Sequence, residues 1–319
     1  MSNETNTDNC TLATCSIAED GQLHYIPSLP GNAFYLGLFG LVLVGQLFLG
    51  IRYRTWGFLG AMVGGLALEI LGYVARIQLH DDVFDSDTFI IYLIGLTIGP
   101  AFFSAAIYLC LARIIAVYGH GLSFFKPRTI TCVFILCDLV SLILQAAGGA
   151  ITSTSDTIDD SQMGVDIMIA GLSSQVVSMF VFVLVCGYFA WKVRRNPQEV
   201  NQNTLSLQRT KPFRAFLCAL IIATITILVR CSFRVAELQE GFDGAMANDE
   251  ILFMILEGAM IVTAVTALTV AHPGPALGPM WKDGVFHFRT RNNGPDGFDK
   301  SKDGSYSEDG TEFAATSQV

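Results

Sequence analysis

Phe89–Val117 reads FIIYLIGLTIGPAFFSAAIYLCLARIIAV, with Arg113 as its sole charge. A helix needs about 20 predominantly apolar residues to cross the hydrocarbon core of a bilayer, and this run exceeds that length. Six further runs satisfy the same criterion: Ala33–Ile51, Trp56–Leu79, Thr129–Ile151, Asp166–Val193, Phe213–Val235 and Ile251–Ala271. The runs at Phe89–Val117 and Asp166–Val193 are long enough to tilt or to overhang into water. The chain as a whole agrees, with 319 residues, 52% hydrophobic and 15% charged, and a mean hydropathy of +0.49. A soluble domain carries about 25% charged residues. The sequence therefore predicts an all-α polytopic membrane protein with seven transmembrane helices. The net charge of −9 argues against a nucleic-acid partner, which requires a basic face to neutralise phosphates.

The segments between runs alternate in charge. Residues 1–32, 80–88, 152–165 and 236–250 hold no Lys or Arg. The intervening loops with the run ends that flank them, and the tail, hold fifteen of the 19 basic residues, among them Arg52, Arg54, Arg194, Arg195, Lys211 and Lys282. Lys and Arg collect on the cytoplasmic side, which predicts an outer N-terminus and a cytoplasmic C-terminus. Residues 1–32 lack the basic start of a secretory signal and read as an extracellular segment. Asn3-Glu4-Thr5 and Asn9-Cys10-Thr11 make Asn3 and Asn9 glycosylation acceptors on that face, where Cys10 and Cys15 are placed to pair. The other six cysteines, in or beside the runs, read as small buried hydrophobes. Residues 33–280 form the membrane domain. The Arg194–Arg209 loop is expected to be mobile, and residues 281–319, rich in Gly, Asp, Ser and Asn, are expected to be a disordered cytoplasmic tail.

Arg76, Arg113, Arg230 and Arg234 lie within the runs, and Glu69, Asp138, Glu237 and Glu257 lie in them or at their ends. A charge at the bilayer centre costs about 2.5–3.5 kcal/mol on insertion scales, so these residues must pair or face a wet cavity. Helical spacing groups them. Gly65, Glu69, Gly72 and Arg76 share one stripe; Thr97, Pro100, Ser104 and Tyr108 another; Phe134, Asp138, Ser141 and Gln145 a third. Gly171, Gln175 and Ser178 align on the fifth run, and Thr226, Arg230, Arg234 and Glu237 on the sixth. Lipid cannot satisfy such stripes, so they should face one another, and their small residues suit close helix contact. Glu69 and Asp138 fall near mid-membrane, with Arg76, Gln145, Arg230, Arg234 and Glu237 in the outer half. Gln175 falls mid-to-outer and Glu257 in the outer third. Arg113, off its stripe at the cytoplasmic end, is expected to snorkel to headgroups.

A cavity with carboxylates deep and arginines above suits an amphiphile. An ammonium head can meet Asp138, Glu69 or Glu257 while a hydrocarbon chain lies along apolar walls. An anionic ligand can instead meet the arginines, and the residues leave both open. Glu69 and Asp138 can also carry protons, since burial favours the neutral carboxyl.

The chain resembles the fungal RTA-like proteins, the lipid-translocating exporter family, over Tyr25 to about Gly274. The resemblance rests on Tyr25-x-Pro27-Ser28-Leu29-Pro30-x-Asn32, Glu69-x-x-Gly72-Tyr73-x-x-Arg76, Pro100-Ala101, Tyr108 and Arg113. It continues through Asp138-x-x-Ser141-x-x-x-Gln145-x-x-Gly148-Gly149, Gly171-x-x-x-Gln175, Arg230-x-x-Phe233-Arg234-x-x-Glu237, Glu257 and His272-Pro273-Gly274. It implies a multi-pass fungal protein of the plasma membrane or a nearby endomembrane. It also implies release of sphingoid long-chain bases, resistance to toxic amphiphiles such as aminosterols and, in one branch, porphyrin and haem movement.

The leading reading is a transporter that binds the head group of an amphiphilic lipid in an outward-facing polar cavity, with membrane lipids and an amphiphilic small molecule as its partners. Glu69, Arg76, Tyr108, Asp138, Gln145, Gln175, Arg230, Arg234, Glu237 and Glu257 are its candidate binding residues. No Gly-x-x-x-x-Gly-Lys-Ser/Thr loop exists for direct ATP hydrolysis, and no cofactor is expected. The competing reading is a seven-helix receptor or sensor. The third run ends Leu111-Ala112-Arg113-Ile114 with no acid before the arginine, and the seventh is followed by His272-Pro273-Gly274, which weakens it. A retinal protein is excluded because the seventh run has no Schiff-base lysine. Enzymatic zinc chemistry is not expected, because His24, His80, His120, His272 and His287 are scattered. His272 reads as a cap at the end of the seventh helix.

Overall fold

The computed structural model describes residues 25–119, 127–154, 158–198, 204–240, 244, 248–278 and 281. Among these, seven helices are long and apolar enough to cross a membrane, and no strand occurs. They are α1 (Leu29–Tyr53), α2 (Trp56–Asp81), α3 (Ser86–Tyr118), α4 (Pro127–Thr154), α5 (Ile158–Arg195), α6 (Lys211–Glu240) and α7 (Glu250–Val270). A short α8 (Pro273–Leu277) follows. Each apolar run predicted from the sequence lies within one of the first seven, apart from Ala271, one residue beyond α7. At 38 residues, α5 is about 57 Å long, well beyond the ~30 Å hydrocarbon core.

Local chemistry sets the helix ends. Ser28 accepts from the Gly31 N–H and Pro30 follows in the first turn of α1, while Arg54 closes that helix in the left-handed region with φ 56°. Asp85 caps α3 by accepting from the Asp87 N–H at 3.1 Å, and the Thr88 hydroxyl holds its carboxyl below the usual carboxylate range. Pro100 lies inside α3. In α7, a π-helical segment at Met254–Ala259 carries Glu257, a widening often found at functional sites.

The bundle inverts the burial pattern of a soluble protein. Arg76 is 0% exposed and Glu69 1%, whereas Val270 is 82% exposed and Leu41, Phe48 and Ile143 also point outward. Lipid-facing positions are apolar and the polar atoms are turned inward. Two seams bring helices close. A Cβ on Gly95 would lie 2.9 Å from the Leu68 carbonyl oxygen, so α2 and α3 meet backbone to backbone. On the second seam, a Cβ on Gly148 would lie 2.6 Å from the Gly164 carbonyl oxygen, and one on Gly171 2.8 Å from that of Ser141. The stripe glycines therefore serve close helix approach. The α3 helix is buried along most of its length and carries one wall of each polar cluster.

Candidate functional site

Helices α6 and α7 hold the largest polar cluster. Arg230 donates through Nε at 3.0 Å and also through Nη2 to Glu257 Oε1, and its Nη2 reaches the Leu96 carbonyl of α3. One turn on, Arg234 Nη1 meets Glu237 Oε2 at 2.6 Å and Nη2 lies 3.5 Å from Thr97 Oγ1. Two of the expected pairings therefore form, between groups that water hardly touches. Glu69 of α2 faces the same cluster without joining it. Its Oε1 has no hydrogen-bond partner among the described residues, and neither do Glu257 Oε2 and the Tyr73 hydroxyl.

Arg76 is held by neutral groups. Its Nε donates to Asn32 Oδ1 at 3.1 Å and its Nη2 to the Tyr25 hydroxyl at 2.9 Å. The guanidinium lies 3.8 Å from the Phe253 ring centroid and 4.9 Å from that of Tyr92, a cation–π cage. No carboxylate pairs with it among the described residues. Residues Tyr25–Ser28 cross this end of the bundle, with the Pro27 carbonyl 2.8 Å from His80 Nδ1 and the Ser28 N–H 2.5 Å from Glu250 Oε1. Tyr25, Asn32, Tyr92 and Phe253 were not singled out as site residues. The only sequence signal for them is the Tyr25…Asn32 spacing just ahead of and into α1, because ring contacts leave no periodicity to read.

The third cluster lies between α3, α4 and α5. Asp138 Oδ2 accepts from the Tyr108 hydroxyl at 3.0 Å. Its Oδ1 and the Ser178 hydroxyl are buried without hydrogen-bond partners, although the two groups lie side by side. The Tyr108 ring packs on Phe182 at 4.6 Å and Phe134 at 5.4 Å between centroids. Nearby, Gln145 Nε2 donates to Gln175 Oε1 at 3.3 Å, leaving Gln145 Oε1 and Gln175 Nε2 unused. Asp138 makes no ion pair among the described residues, so it is a buried acid met only by neutral groups.

Arg234 and Glu237 line a small, shallow cleft with Leu93, Thr97, Met168, Leu172 and Leu238, between α3, α5 and α6. The other eight candidates are closed in by packing. Along α5 the cleft residues Met168 and Leu172 lead, at helical spacing, to Gln175 and Ser178, so the cleft lies next to the Asp138 cluster along that helix.

Several expectations are corrected. Arg113 does not extend free to headgroups; it is half buried and its guanidinium lies 5.1 Å from the Trp281 ring centroid. Trp281, the first residue of the expected tail, is itself buried against Phe58. Of the six span cysteines, Cys110 and Cys231 are buried but Cys132, Cys137 and Cys218 face outward, where acyl chains suit a thiol as well as a core does. His272 caps the start of α8, not the end of α7, with its Nδ1 accepting from the Gly274 N–H at 3.0 Å. Burial pushes its imidazole down to about 4. Within the polar loop, Leu205–Gln208 forms a helical turn tied down by Thr204, whose hydroxyl donates to the Val117 carbonyl at 2.7 Å. Asn3, Asn9, Cys10, Cys15 and residues 282–319 lie outside the described residues.

Comparison with known proteins places this arrangement. The family model described as RTA1 like protein matches residues 62–280. The Sphingoid long-chain base transporter RSB1 of Saccharomyces cerevisiae is 32% identical over 309 residues, covering 87% of this chain and 81% of that protein. Protein RTA1 of the same organism is 27% identical over 225 residues, covering 69% and 68%. Protein RTM1, also of Saccharomyces cerevisiae, is 28% identical over 210 residues, covering 65% and 64%. No solved structure matches. The chain belongs to the RTA1-like family and is a multi-pass membrane protein.

Proposed function

We propose that this RTA1-like chain moves amphiphilic lipids of the sphingoid long-chain base class across the membrane, and that aminosterol-like toxic amphiphiles, or in a further extension porphyrin and haem, use the same route. The observation that carries the reading is Asp138. It is a carboxylate 4% exposed, held by the Tyr108 hydroxyl and lacking any cationic partner among the described residues. The two other carboxylates bound to arginines, Glu257 and Glu237, are already neutralised. A cationic ammonium head supplies what Asp138 lacks, and the buried site makes that attraction strong. The cleft next to it along α5, with apolar Leu93, Leu172 and Leu238 beside Arg234 and Glu237, offers an entry for a molecule with a charged head and a hydrocarbon tail. The similarity to a named sphingoid base transporter supports the substrate class.

In this reading the protein is not an enzyme and resides in the plasma membrane with its N-terminus outside, which puts the cleft and the Arg76 cage in the outer half. Residues 1–32 are the extracellular segment and residues 282–319 a cytoplasmic tail. Gln145 and Gln175 form the polar rung between cleft and floor, and the Arg230–Glu257 pair and Glu69 stand behind it in the packed bundle. The test is movement of a labelled sphingoid base across liposomes containing the purified protein. Faster equilibration than in protein-free liposomes supports the reading. Equal rates, together with unchanged sensitivity of a deletion strain to added sphingoid base, would overturn it. Ligand-stimulated binding of a cytosolic G protein without flux would instead favour a receptor.

A further inference from the structure

Glu69 differs from the other candidates in the space around it. A Cβ on Gly99 would lie 2.8 Å from Glu69 Oε1, so the backbone of α3 presses on the carboxylate. Glu69 is 1% exposed and its Oε1 has no hydrogen-bond partner among the described residues. An ammonium group with a carbon attached cannot enter between Oε1 and α3.

The charges facing it are already engaged. From α6 come Arg230 and Arg234, the first held by Glu257 and the Leu96 carbonyl and the second by Glu237 and Thr97. From α7 comes Glu257 and from α2 itself the Tyr73 hydroxyl, and among the described residues Glu257 Oε2 and that hydroxyl have no partner. The α3 wall at Leu96 and Gly99 supplies backbone and no titratable side chain, and α1 supplies Tyr35, stacked on Tyr73 at 5.5 Å. Glu69 therefore lies in the field of a guanidinium that Glu257 already holds. Two carboxylates in such an arrangement do not both ionise freely, and an ionised carboxylate with no counterion is expensive to bury.

We propose that Glu69 is a proton-binding site and that its proton couples lipid movement to a pH gradient. The proton resides on Glu69 Oε1 in the packed state seen here and leaves to water when α2 and α3 part. The bared carboxylate then competes with Glu257 for Arg230. The π-helical segment Met254–Ala259 that carries Glu257 is the element able to change register as this exchange occurs. The coupling half of the inference rests on the transport reading above; the proton site does not.

Two measurements test it. Infrared spectra of purified protein, with and without isotope-labelled glutamate, should show a protonated glutamic-acid carbonyl at neutral pH that is lost in Glu69→Gln. Its absence from wild type overturns the site, whatever the flux. In liposomes, a gradient of one pH unit should drive up to about tenfold accumulation of a labelled sphingoid base if one proton accompanies each molecule. Glu69→Gln, which mimics the protonated acid, should lose more accumulation than exchange of labelled for unlabelled base; equal loss of the two overturns the coupling. Accumulation by Glu69→Gln equal to wild type overturns the coupling. If wild type fails even in exchange, the transport reading falls, while the infrared signal still decides the proton site.

Discussion

Replacing Asp138 by Asn separates a ligand-binding role from a structural one. Asn keeps the size of the side chain and an oxygen for the Tyr108 hydroxyl, now 3.0 Å from Oδ2. It adds an N–H₂ donor beside the Ser178 hydroxyl, which meets no good hydrogen-bond partner among the described residues. No ion pair breaks, because none involves Asp138. The fold is thus expected to hold or to gain about 0.5–1.5 kcal/mol, the net worth of one hydrogen bond. A bound ammonium loses its charge-assisted partner, worth about 1.5–3 kcal/mol, which corresponds to about 10- to 150-fold weaker binding. Surface level is read by quantitative labelling, affinity with a fluorescent sphingoid base, and tolerance by growth in added sphingoid base. The expected result is normal surface level, a loss of affinity in that range and reduced tolerance. Unchanged affinity at normal level refutes the head-group role. Loss of the protein from the membrane refutes the claim that Asp138 has no structural counterion.

The Arg230–Glu257 pair should behave in the opposite way. Arg230→Gln strands Glu257 in the bundle and should cost about 3–5 kcal/mol, whereas Arg230→Gln with Glu257→Gln should recover most of it; melting in detergent and surface level check this, and a stable single variant would contradict the pairing. His272 gives a pH signature. Its imidazole is pushed down to about 4 by burial, so the unfolded chain takes up a proton that the folded chain does not. Its contribution to stability is full above about 6.5 and falls as pH drops toward 4. His272→Asn keeps a side-chain cap for α8 and should flatten that part of the melting-temperature profile; an unchanged slope would show that another group carries it. For topology, a glycosidase-sensitive mass shift should vanish in the Asn3/Asn9 double substitution, and an N-terminal tag protected from external protease in intact cells would reverse the proposed orientation.

What the sequence determines here is the set of elements. Bilayer solvation acts on each stretch of about 20 residues nearly independently, so Phe89–Val117 announces α3 without knowledge of its neighbours. The polar stripes were legible for the same reason: 3.6-residue periodicity is local, and Arg230, Arg234 and Glu237 come together on one helix face by spacing alone. Which partner each buried charge takes is decided only when helices pack. The stripe of α2 holds both Glu69 and Arg76, yet Arg76 leaves the acids for Asn32, Tyr25 and the Phe253 ring. Glu69 is left facing a guanidinium that Glu257 already holds. Those contacts join residues far apart in sequence. They depend on the α2–α3 approach at Gly95 and on the π-helical segment that turns Glu257 inward. Hydrophobicity and charge are properties of residues and can be read along the chain, whereas pairing in a low-dielectric interior depends on distances of a few ångströms that only the assembled bundle sets.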